Sequence, residues 1–454
     1  MLKSINPATE EEINSYQEMK LEEIERIVSS ADQAFLEWRR SSFSTRSLRI
    51  KRAAEVLRTK AEDEARLVSR EMGKPIAQSR SEIEKCAWAC DYFADQGEGF
   101  LQDQIIETDA ARSLVTFQPL GLILAIMPWN FPYWQVFRFA VPALMAGNAV
   151  LLKHASNVCG CALAIEAIFR EAGFPENLFR TILLSSDKIG RVLELDKTRA
   201  VTLTGNVEAG KTVASKAGSL IKKTILELGG SDPYVVLGDA DLEPAVEACV
   251  TSRLINGGQS CIAAKRFIIV KERYDDFRDR FVETMKKKKM GDPFDEANDL
   301  GPQALDSSRR HLHDQVRRSL EKGAGLLLGG EIPEGKGAFY PPTVLENVKK
   351  GMLAFEEEIF GPVAALIKAE DETEAIRLAN DSNFGLGAAV FTSDLKKGER
   401  IAREDLTAGN CFVNAFVKSD PRLPFGGVKE SGFGRELSQT GLREFVNIKT
   451  VYIK

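Results

Sequence analysis

The sequence lacks long apolar runs and any strong excess of charge. No segment approaches the roughly 20 apolar residues of a membrane-spanning helix, and Glu10, Glu11 and Glu12 stand where a signal peptide would have its apolar core. The 61 basic and 66 acidic residues leave a net charge of −5, spread along the chain, which disfavours nucleic acid and anionic membranes as partners. We therefore expect a cytoplasmic protein.

Histidine is scarce, and the cysteines have no paired spacing. The chain has only three histidines, and His311 and His313 cannot point to one face of a helix, so we predict no metal. Seven cysteines without a C-x-x-C pair predict reduced thiols rather than a disulfide framework. Among them, Cys159 and Cys161 are expected to pack in the core.

The 454 residues exceed what one hydrophobic core usually supports, so we expect several domains. The segment from Leu21 to about Gly97 has helical periodicity, and residues 104–119 indicate a hairpin of exposed strands. Short apolar runs separated by helical spacers then predict two α/β units with parallel sheets. The runs are 122–126, 149–152, 181–184 and 200–203 in the first unit, and 234–237, 267–270, 364–367 and 387–391 in the second. Residues 445–453 indicate one more strand.

Cys261 follows the small, polar loop Asn256-Gly257-Gly258-Gln259-Ser260. Glycines allow a substrate to approach the thiol and its backbone N–H closely, so Cys261 is a candidate nucleophile. The alternative is that it is a small buried apolar residue.

Residues 205–212 match the phosphate-binding pattern G-x-x-x-x-G-K-[ST] after a predicted strand, which suggests a nucleotide hydrolase as an alternative of another class. Glu208 would bring a carboxylate close to bound phosphates, and Val207 stiffens the backbone, so we disfavour it. A turn with Gly205 and Gly210 is still suited to a dinucleotide.

Two further motifs carry polar groups suited to catalysis. Asn130 lies in the turn Pro-Trp-Asn-Phe-Pro, where its amide is either an oxyanion donor or a partner for the turn's own backbone. Glu227 lies in Leu-Glu-Leu-Gly-Gly, where it is either a buried base with a raised pKa or a surface residue at a strand end.

With Glu358-Ile-Phe-Gly-Pro-Val and Pro424-Phe-Gly-Gly-Val-Lys, these motifs occur in an order and spacing that resemble the NAD(P)-dependent aldehyde dehydrogenases. The resemblance spans nearly the whole chain and is greatest to succinate-semialdehyde dehydrogenases. It implies an α/β fold with a Rossmann-like cofactor domain (1–103 and 124–229), an α/β catalytic domain (230–430) and a small β oligomerisation element (104–123 and 431–454). It also implies a homodimer or homotetramer.

The resemblance assigns Cys261 as the thiolate that attacks the aldehyde, Asn130 as oxyanion donor, and Glu227 as the base that activates water for thioester hydrolysis. The positions that match the cofactor site are Ile126, Trp129, Lys153, Ser156, Gly205, Gly210, Glu358 and Phe360.

The chain departs from the family pattern at two positions. Phe139 replaces a lysine of many relatives, which leaves any role of that lysine in proton movement open. Ser156 replaces a glutamate of NAD-preferring members. Without that carboxylate the 2′-phosphate of NADP is not repelled, and Lys153, helped by His154, would attract it. We expect NADP to be preferred over NAD; the alternative is that Ser156 only caps a helix.

Arg138 and Ser419 match substrate-binding positions of succinate-semialdehyde dehydrogenases. A guanidinium favours a substrate with a distal carboxylate, although Arg138 could instead form an ion pair. A further arginine of some relatives is Ile255 here, for which Lys418 or Arg422 could compensate. Succinate semialdehyde is the expected substrate, with glutarate semialdehyde or a medium aliphatic aldehyde as alternatives.

Overall fold

The N-terminal part of the chain is mainly helical, and the computed structural model describes all 454 residues. The helices predicted from Leu21 onward are present, whereas the antiparallel ribbon of β1 and β2 before them was not predicted. The elements are β1 (Leu2–Ile5), β2 (Glu12–Tyr16), α1 (Leu21–Trp38), α2 (Phe43–Thr59), α3 (Ala61–Met72) and α4 (Ile76–Phe100). Apolar side chains on one face of α1, such as Ile24, Val28 and Ala31, are buried in the largest core.

The predicted hairpin follows, with β3 (Gln104–Ile105) antiparallel to β4 (Arg112–Pro119). After it the chain enters a sheet with strand order β9-β8-β5-β6-β7, all parallel. Its elements are β5 (Leu122–Met127), α5 (Trp134–Met145), β6 (Ala149–His154), α6 (Cys159–Glu171), β7 (Phe179–Thr181), α7 (Ile189–Glu194), β8 (Thr198–Thr204), α8 (Val207–Ser219) and β9 (Lys223–Glu227).

The chain reverses direction across this sheet between β5 and β8, because β6 and β7 are added on one side of β5 and β8 and β9 on the other. A crevice at the carboxyl ends of strands forms at such a point, which suits a dinucleotide. One predicted strand is displaced: β7 covers 179–181, and residues 182–184, predicted as strand, follow it as irregular chain.

The second sheet has the order β12-β13-β14-β11-β10-β15-β16, parallel except for β12. Its elements are β10 (Pro233–Val236), α9 (Leu242–Leu254), β11 (Arg266–Val270), α10 (Lys271–Lys286), α11 (Asp306–Glu321), β12 (Gly325–Leu328), β13 (Thr343–Glu346), α12 (Leu353–Glu356), β14 (Val363–Ala369), α13 (Glu372–Asn380), β15 (Gly387–Phe391), α14 (Leu395–Arg400) and β16 (Asn410–Val413). The four predicted strands form its centre, whereas β12, β13 and β16 were not predicted.

The last elements are β17 (Gly432–Phe433), α15 (Ser438–Glu444) and β18 (Val446–Ile453). Strand β17 pairs with β9, so it extends the first sheet, whereas β18 pairs antiparallel with β4 along its whole length. Of the segment 431–454, only β18 therefore joins the sheet of β3 and β4, and the oligomerisation role of this segment stays a prediction. No helix has the length and apolarity needed to cross a membrane.

Candidate active site

The loop before Cys261 has an unusual backbone. Asn256, Gly257 and Gly258 follow one another with φ of +54°, +61° and +76°, a conformation that favours glycine and asparagine. A Cβ at Gly258 would overlap the backbone carbonyl of Gly361. The glycine therefore lets the cysteine loop lie directly against the Glu-Ile-Phe-Gly-Pro segment.

Cys261 is partly exposed at the end of this loop. The ammonium of Lys265 donates hydrogen bonds to the carbonyls of Ser260 (2.9 Å) and Cys261 (2.5 Å), and these bonds fix the end of the loop. Burial raises the pKa of the Cys261 thiol to about 12, and the nearby Arg138 and Lys265 oppose that rise. A thiol with this pKa reacts as a nucleophile only after its proton has been removed.

The Asn130 amide lies beside the cysteine loop, as expected for an oxyanion donor. Its Nδ2 donates to the Gln259 carbonyl over 3.1 Å, and Asn256 Nδ2 donates to the Asn130 carbonyl over 2.7 Å. Asn130 is buried, and Gln135 Nε2 donates to its Oδ1 over 3.4 Å. The turn around Asn130 and the loop before Cys261 thus fix each other.

Glu227 ends β9 as a buried carboxylate, and neither of its oxygens has a hydrogen-bond partner. Burial, and next the neighbouring Glu436, raise its pKa well above the usual value, while Arg138 and Arg435 lower it. A Cβ at Gly426 would lie 2.7 Å from Glu227 Oε1, so the glycine of the Pro-Phe-Gly-Gly motif leaves room for the carboxylate. A buried carboxylate that lacks hydrogen-bond donors is well suited to accept a proton.

Three predicted cofactor residues, Ile126, Lys153 and Gly205, lie at the carboxyl ends of β5, β6 and β8. Ile126 is paired in register with Lys153, whose ammonium donates to Ser186 Oγ over 2.8 Å. Ser156 is exposed just beyond β6, and its side chain caps no helix. The arrangement leaves a hydroxyl and an ammonium at the edge of the sheet.

The alternative phosphate loop is not present as a loop. Helix α8 already begins at Val207, and Asn206 Oδ1 caps it by accepting from Ala209 N–H (2.8 Å). Lys211 is exposed and contacts Glu430 and Glu208 rather than the crevice. Gly210 has a packing role, since a Cβ there would lie 2.6 Å from Leu228. The nucleotide-hydrolase interpretation of 205–212 is therefore wrong.

The remaining predicted cofactor residues, Trp129, Glu358 and Phe360, lie in two segments that contact the cysteine loop. The rings of Trp129 and Phe360 meet edge to face, with centroids 5.8 Å apart. The Glu358 carboxylate accepts from Gly230 N–H over 3.1 Å and lies 3.6 Å from the Lys265 ammonium. Glu358 thus connects the loop after β9 with Lys265, which binds the Cys261 carbonyl.

His154 does not assist Lys153 as expected. Burial lowers the pKa of its ring to about 4, so the imidazole is neutral at neutral pH and attracts no phosphate. Its Nδ1 lies 2.9 Å from Ala155 N and 3.1 Å from the Met127 carbonyl, and its Nε2 lies 2.9 Å from the Pro132 carbonyl. The histidine instead attaches the Asn130 turn to β6.

Arg138 is almost completely buried and forms an ion pair with Glu436. One amino group donates to Thr204 Oγ1 over 3.2 Å, and the guanidinium lies 4.9 Å from the centre of the Phe425 ring. Arg138 thus forms the ion pair that was the alternative to substrate binding. Its role in substrate binding stays a prediction.

Ser419 is buried and accepts two hydrogen bonds, from Trp134 Nε1 (3.0 Å) and from the Lys85 ammonium (2.8 Å). Sequence reasoning missed Lys85, because α4 presents it as one of many charged residues on a long helix. Neither proposed compensating cation contacts Ser419: Arg422 pairs with Asp420, and Lys418 is exposed.

Known proteins with a similar sequence show the family of this chain. The sequence profile of the aldehyde dehydrogenase family matches residues 1–451. The chain belongs to the aldehyde dehydrogenase family. This aldehyde dehydrogenase is 47% identical over 449 residues to succinate semialdehyde dehydrogenase [NAD(P)+] Sad of Escherichia coli, with 99% of this chain and 97% of that protein covered. It is 45% identical to a probable succinate-semialdehyde dehydrogenase [NADP(+)] of Synechocystis, with 99% of both covered.

Its fold also matches a solved structure, the succinic semialdehyde dehydrogenase of Streptococcus pyogenes in complex with NADP+. The TM-score is 0.98 at 35% identity, with both chains fully covered. The predicted family and the predicted aldehyde dehydrogenase-like fold are thereby confirmed, and the protein is an oxidoreductase.

Proposed function

We propose that this aldehyde dehydrogenase oxidises succinate semialdehyde to succinate, with NADP as the preferred hydride acceptor and NAD as a weaker one. The observation that carries the proposal is that the Asn130 amide contacts the loop before Cys261, while Arg138 acts on both the Cys261 thiol and the unpaired Glu227 carboxylate. The names of the Escherichia coli and Synechocystis relatives agree with this substrate and these cofactors.

In the first step, the residues of the cysteine loop attack the aldehyde and stabilise the product. The Cys261 sulfur attacks the aldehyde carbon after loss of its proton, which gives a thiohemiacetal. The negative charge that develops on the aldehyde oxygen is stabilised by the Asn130 amide and by the Cys261 backbone N–H. Because hydrogen bonds to the cysteine loop hold Asn130 in place, its Nδ2 donor needs little reorganisation as the charge forms.

In the second step, Glu227 acts as the base for hydrolysis of the thioester. Trp129, Glu358 and Phe360 would hold a nicotinamide that would take a hydride from the thiohemiacetal carbon, which would leave the acyl group as a thioester on Cys261. Glu227 removes a proton from the water that attacks this thioester, and succinate is released. Burial without hydrogen-bond donors makes the Glu227 carboxylate more basic than an exposed one, which favours this proton transfer.

The crevice between β5 and β8 fits a dinucleotide. Trp129, Phe360 and Glu358 would surround the nicotinamide half, while Lys153 and Ser156 would face the adenosine ribose. Ser156 offers a hydroxyl, Lys153 an ammonium, and neither repels a 2′-phosphate. This donor set supports the preference for NADP. His154 contributes no charge to it.

We also propose that the protein works as a homodimer or homotetramer assembled through the sheet of β3, β4 and β18. This sheet is small, and it projects apolar side chains into solvent.

The assay that tests the function combines both cofactors with a panel of succinate semialdehyde, glutarate semialdehyde and butanal. We expect formation of the reduced nicotinamide, followed by its absorbance, with the highest kcat/KM for succinate semialdehyde and NADP. The Cys261→Ala variant should be inactive with every aldehyde. Absence of turnover with the whole panel, or activity that survives the loss of Cys261, would contradict the proposal.

A further inference from the structure

Lys85 carries a partly buried ammonium without a carboxylate partner. The ammonium donates to Ser419 Oγ over 2.8 Å and lies 4.2 Å from the centre of the Trp134 ring. The nearest carboxylates are engaged elsewhere, since Glu82 pairs with Lys74 and Asp420 pairs with Arg422. A desolvated ammonium without a counterion is unfavourable, so an anion bound next to it would be stabilised.

Ser419 supplies a second donor at the same place. Its oxygen accepts from both Lys85 and Trp134, which uses its two lone pairs, and its hydroxyl hydrogen has no acceptor within the chain. Lys85 also has N–H groups to spare after its bond to Ser419. A carboxylate has two oxygens, and it could accept from the hydroxyl and from the ammonium at once.

Arg138 links this pair of donors to the nucleophile. Trp134 and Arg138 are one turn apart on α5, immediately after the turn that carries Asn130. The Arg138 guanidinium is near enough to both Cys261 and Lys85 to lower the pKa of each. The charge of Arg138 itself is compensated by Glu436, so Lys85 is the cation whose charge is left for a ligand.

We propose that Lys85, together with Ser419, binds the distal carboxylate of the substrate and so selects short aldehydes that carry a carboxylate. The inference rests on the proposed function, because it names the residues that recognise the substrate at the same site. Lys85 is a substrate-binding residue in this proposal and takes no part in the chemical steps.

The charge of Lys85 gives the proposal a pH dependence. Burial lowers the pKa of the ammonium to about 8, and Arg138 on α5 lowers it as well, whereas Cys86 and Glu82 on α4 and Asp420 in the loop after β16 raise it. The ammonium is charged below this pKa, so attraction for a carboxylate is present below about pH 8 and is lost as the pH rises through it. An uncharged aldehyde should show no such change.

The test compares Lys85→Met and Lys85→Arg, each with succinate semialdehyde and with butanal at saturating NADP. We expect Lys85→Met to raise KM for succinate semialdehyde roughly 10- to 100-fold, the scale of a charge-assisted contact, with kcat nearly unchanged. Its kcat/KM for butanal should equal that of the wild type. Lys85→Arg should keep most of the affinity and should abolish the rise of KM above pH 8, because a guanidinium stays charged.

A matched control is Lys222→Met, since Lys222 is also a partly buried lysine but donates only to the carbonyls of Leu193 and Leu195. It should leave both KM values unchanged. Equal losses for both aldehydes in Lys85→Met would show that Lys85 only supports Trp134, and an unchanged KM would place the carboxylate elsewhere; either result overturns the inference alone. A wild type with no preference for succinate semialdehyde over butanal would overturn the proposed substrate together with this inference.

Discussion

At the scale of single residues, the centre of the molecule holds one guanidinium between two buried carboxylates. Arg138 pairs with Glu436 and lowers the pKa of Glu227, yet burial raises the pKa of both carboxyl groups, and their proximity raises that of Glu227 further. Arg138 and Arg435 do not outweigh burial at Glu227, so its carboxylate is more basic than an exposed one. Arginine does not release its own proton, which means that Arg138 orients the carboxylates and does not relay protons.

Phe139, which stands where many relatives have a lysine, is a core residue here. Its ring meets that of Phe445 edge to face at 5.3 Å, and α5 directs the neighbouring Arg138 towards Glu436 instead. The cation that pairs with Glu436 is therefore Arg138, the residue before Phe139.

His154 predicts an acid-sensitive component of stability. Its pKa is about 4 in the folded protein and about 6.5 in an unfolded chain, so the unfolded state binds more protons between these values, and stability falls as the pH drops from about 6.5 towards 4. Between pH 7 and pH 5 this amounts to about 2 kcal/mol. His154→Gln removes the titration, so its deficit in stability relative to the wild type should shrink by about this amount at pH 5.

Thermal unfolding at the two pH values measures the effect. For a chain of this length we expect the difference in Tm between wild type and His154→Gln to narrow by about 2 °C from pH 7 to pH 5. His311→Gln, at an exposed histidine, provides the control and should shift Tm equally at both values. A constant difference for His154→Gln would mean that the pKa of the ring is the same in the folded and the unfolded chain.

At the scale of elements, the sequence motifs lie in loops from different parts of the chain, and these loops contact one another. The Gly-Gly pair after Glu227 lets Glu358 and the Cys261 carbonyl approach, since a Cβ at Gly230 would lie 2.8 Å from that carbonyl oxygen. Gly258 in turn allows contact with Gly361. The glycines thus determine how closely the cysteine loop, the loop after β9 and the Glu-Ile-Phe-Gly-Pro segment can pack.

Gly258→Ala should therefore displace the nucleophile. The new Cβ would overlap the Gly361 carbonyl in a backbone with φ of +76°, so the loop has to move, and a shift of about 1 Å at the reacting sulfur can cost about 100-fold in kcat/KM. The measurement is the amplitude and rate of the first turnover, together with Tm.

Gly323→Ala is the matched control, because Gly323 also has a positive φ (+99°) but no atom within 4 Å of an added Cβ. It should cost about 1 kcal/mol of stability and leave kcat/KM intact. Equal activity of the two variants would show that the close approach of Gly258 to Gly361 is not needed for catalysis.

The sequence predicted those elements whose signal is local. Buried parallel strands such as β5 and β11 are continuous apolar runs, and the helices from Leu21 onward have clear periodicity. Strands β12 and β16 are only partly buried and short, so they give no such run. The pairing of Arg138 with Glu436 and of Lys85 with Ser419 joins residues remote in sequence, which no local pattern reveals.

At the scale of the whole molecule, both large sheets are covered by helices, while the sheet of β3, β4 and β18 is not. Several of the exposed large apolar side chains of the chain belong to this sheet or adjoin it: Ile105, Ile106, Ile448, Tyr452 and Ile453. A cluster of exposed apolar residues on a small sheet with free edges is typical of a protein interface. This supports assembly through that sheet.

Ile448→Glu should weaken or abolish the assembly. Ile448 is 63% exposed in the single chain, so the substitution costs little within the chain, whereas a carboxylate buried in an apolar interface without a partner is strongly unfavourable. Light scattering coupled to size-exclusion chromatography should show a smaller mass than for the wild type at the same concentration. Ile221→Glu, at an isoleucine 95% exposed after α8, should keep the wild-type mass. An assembly that survives Ile448→Glu would place the subunit interface on another surface.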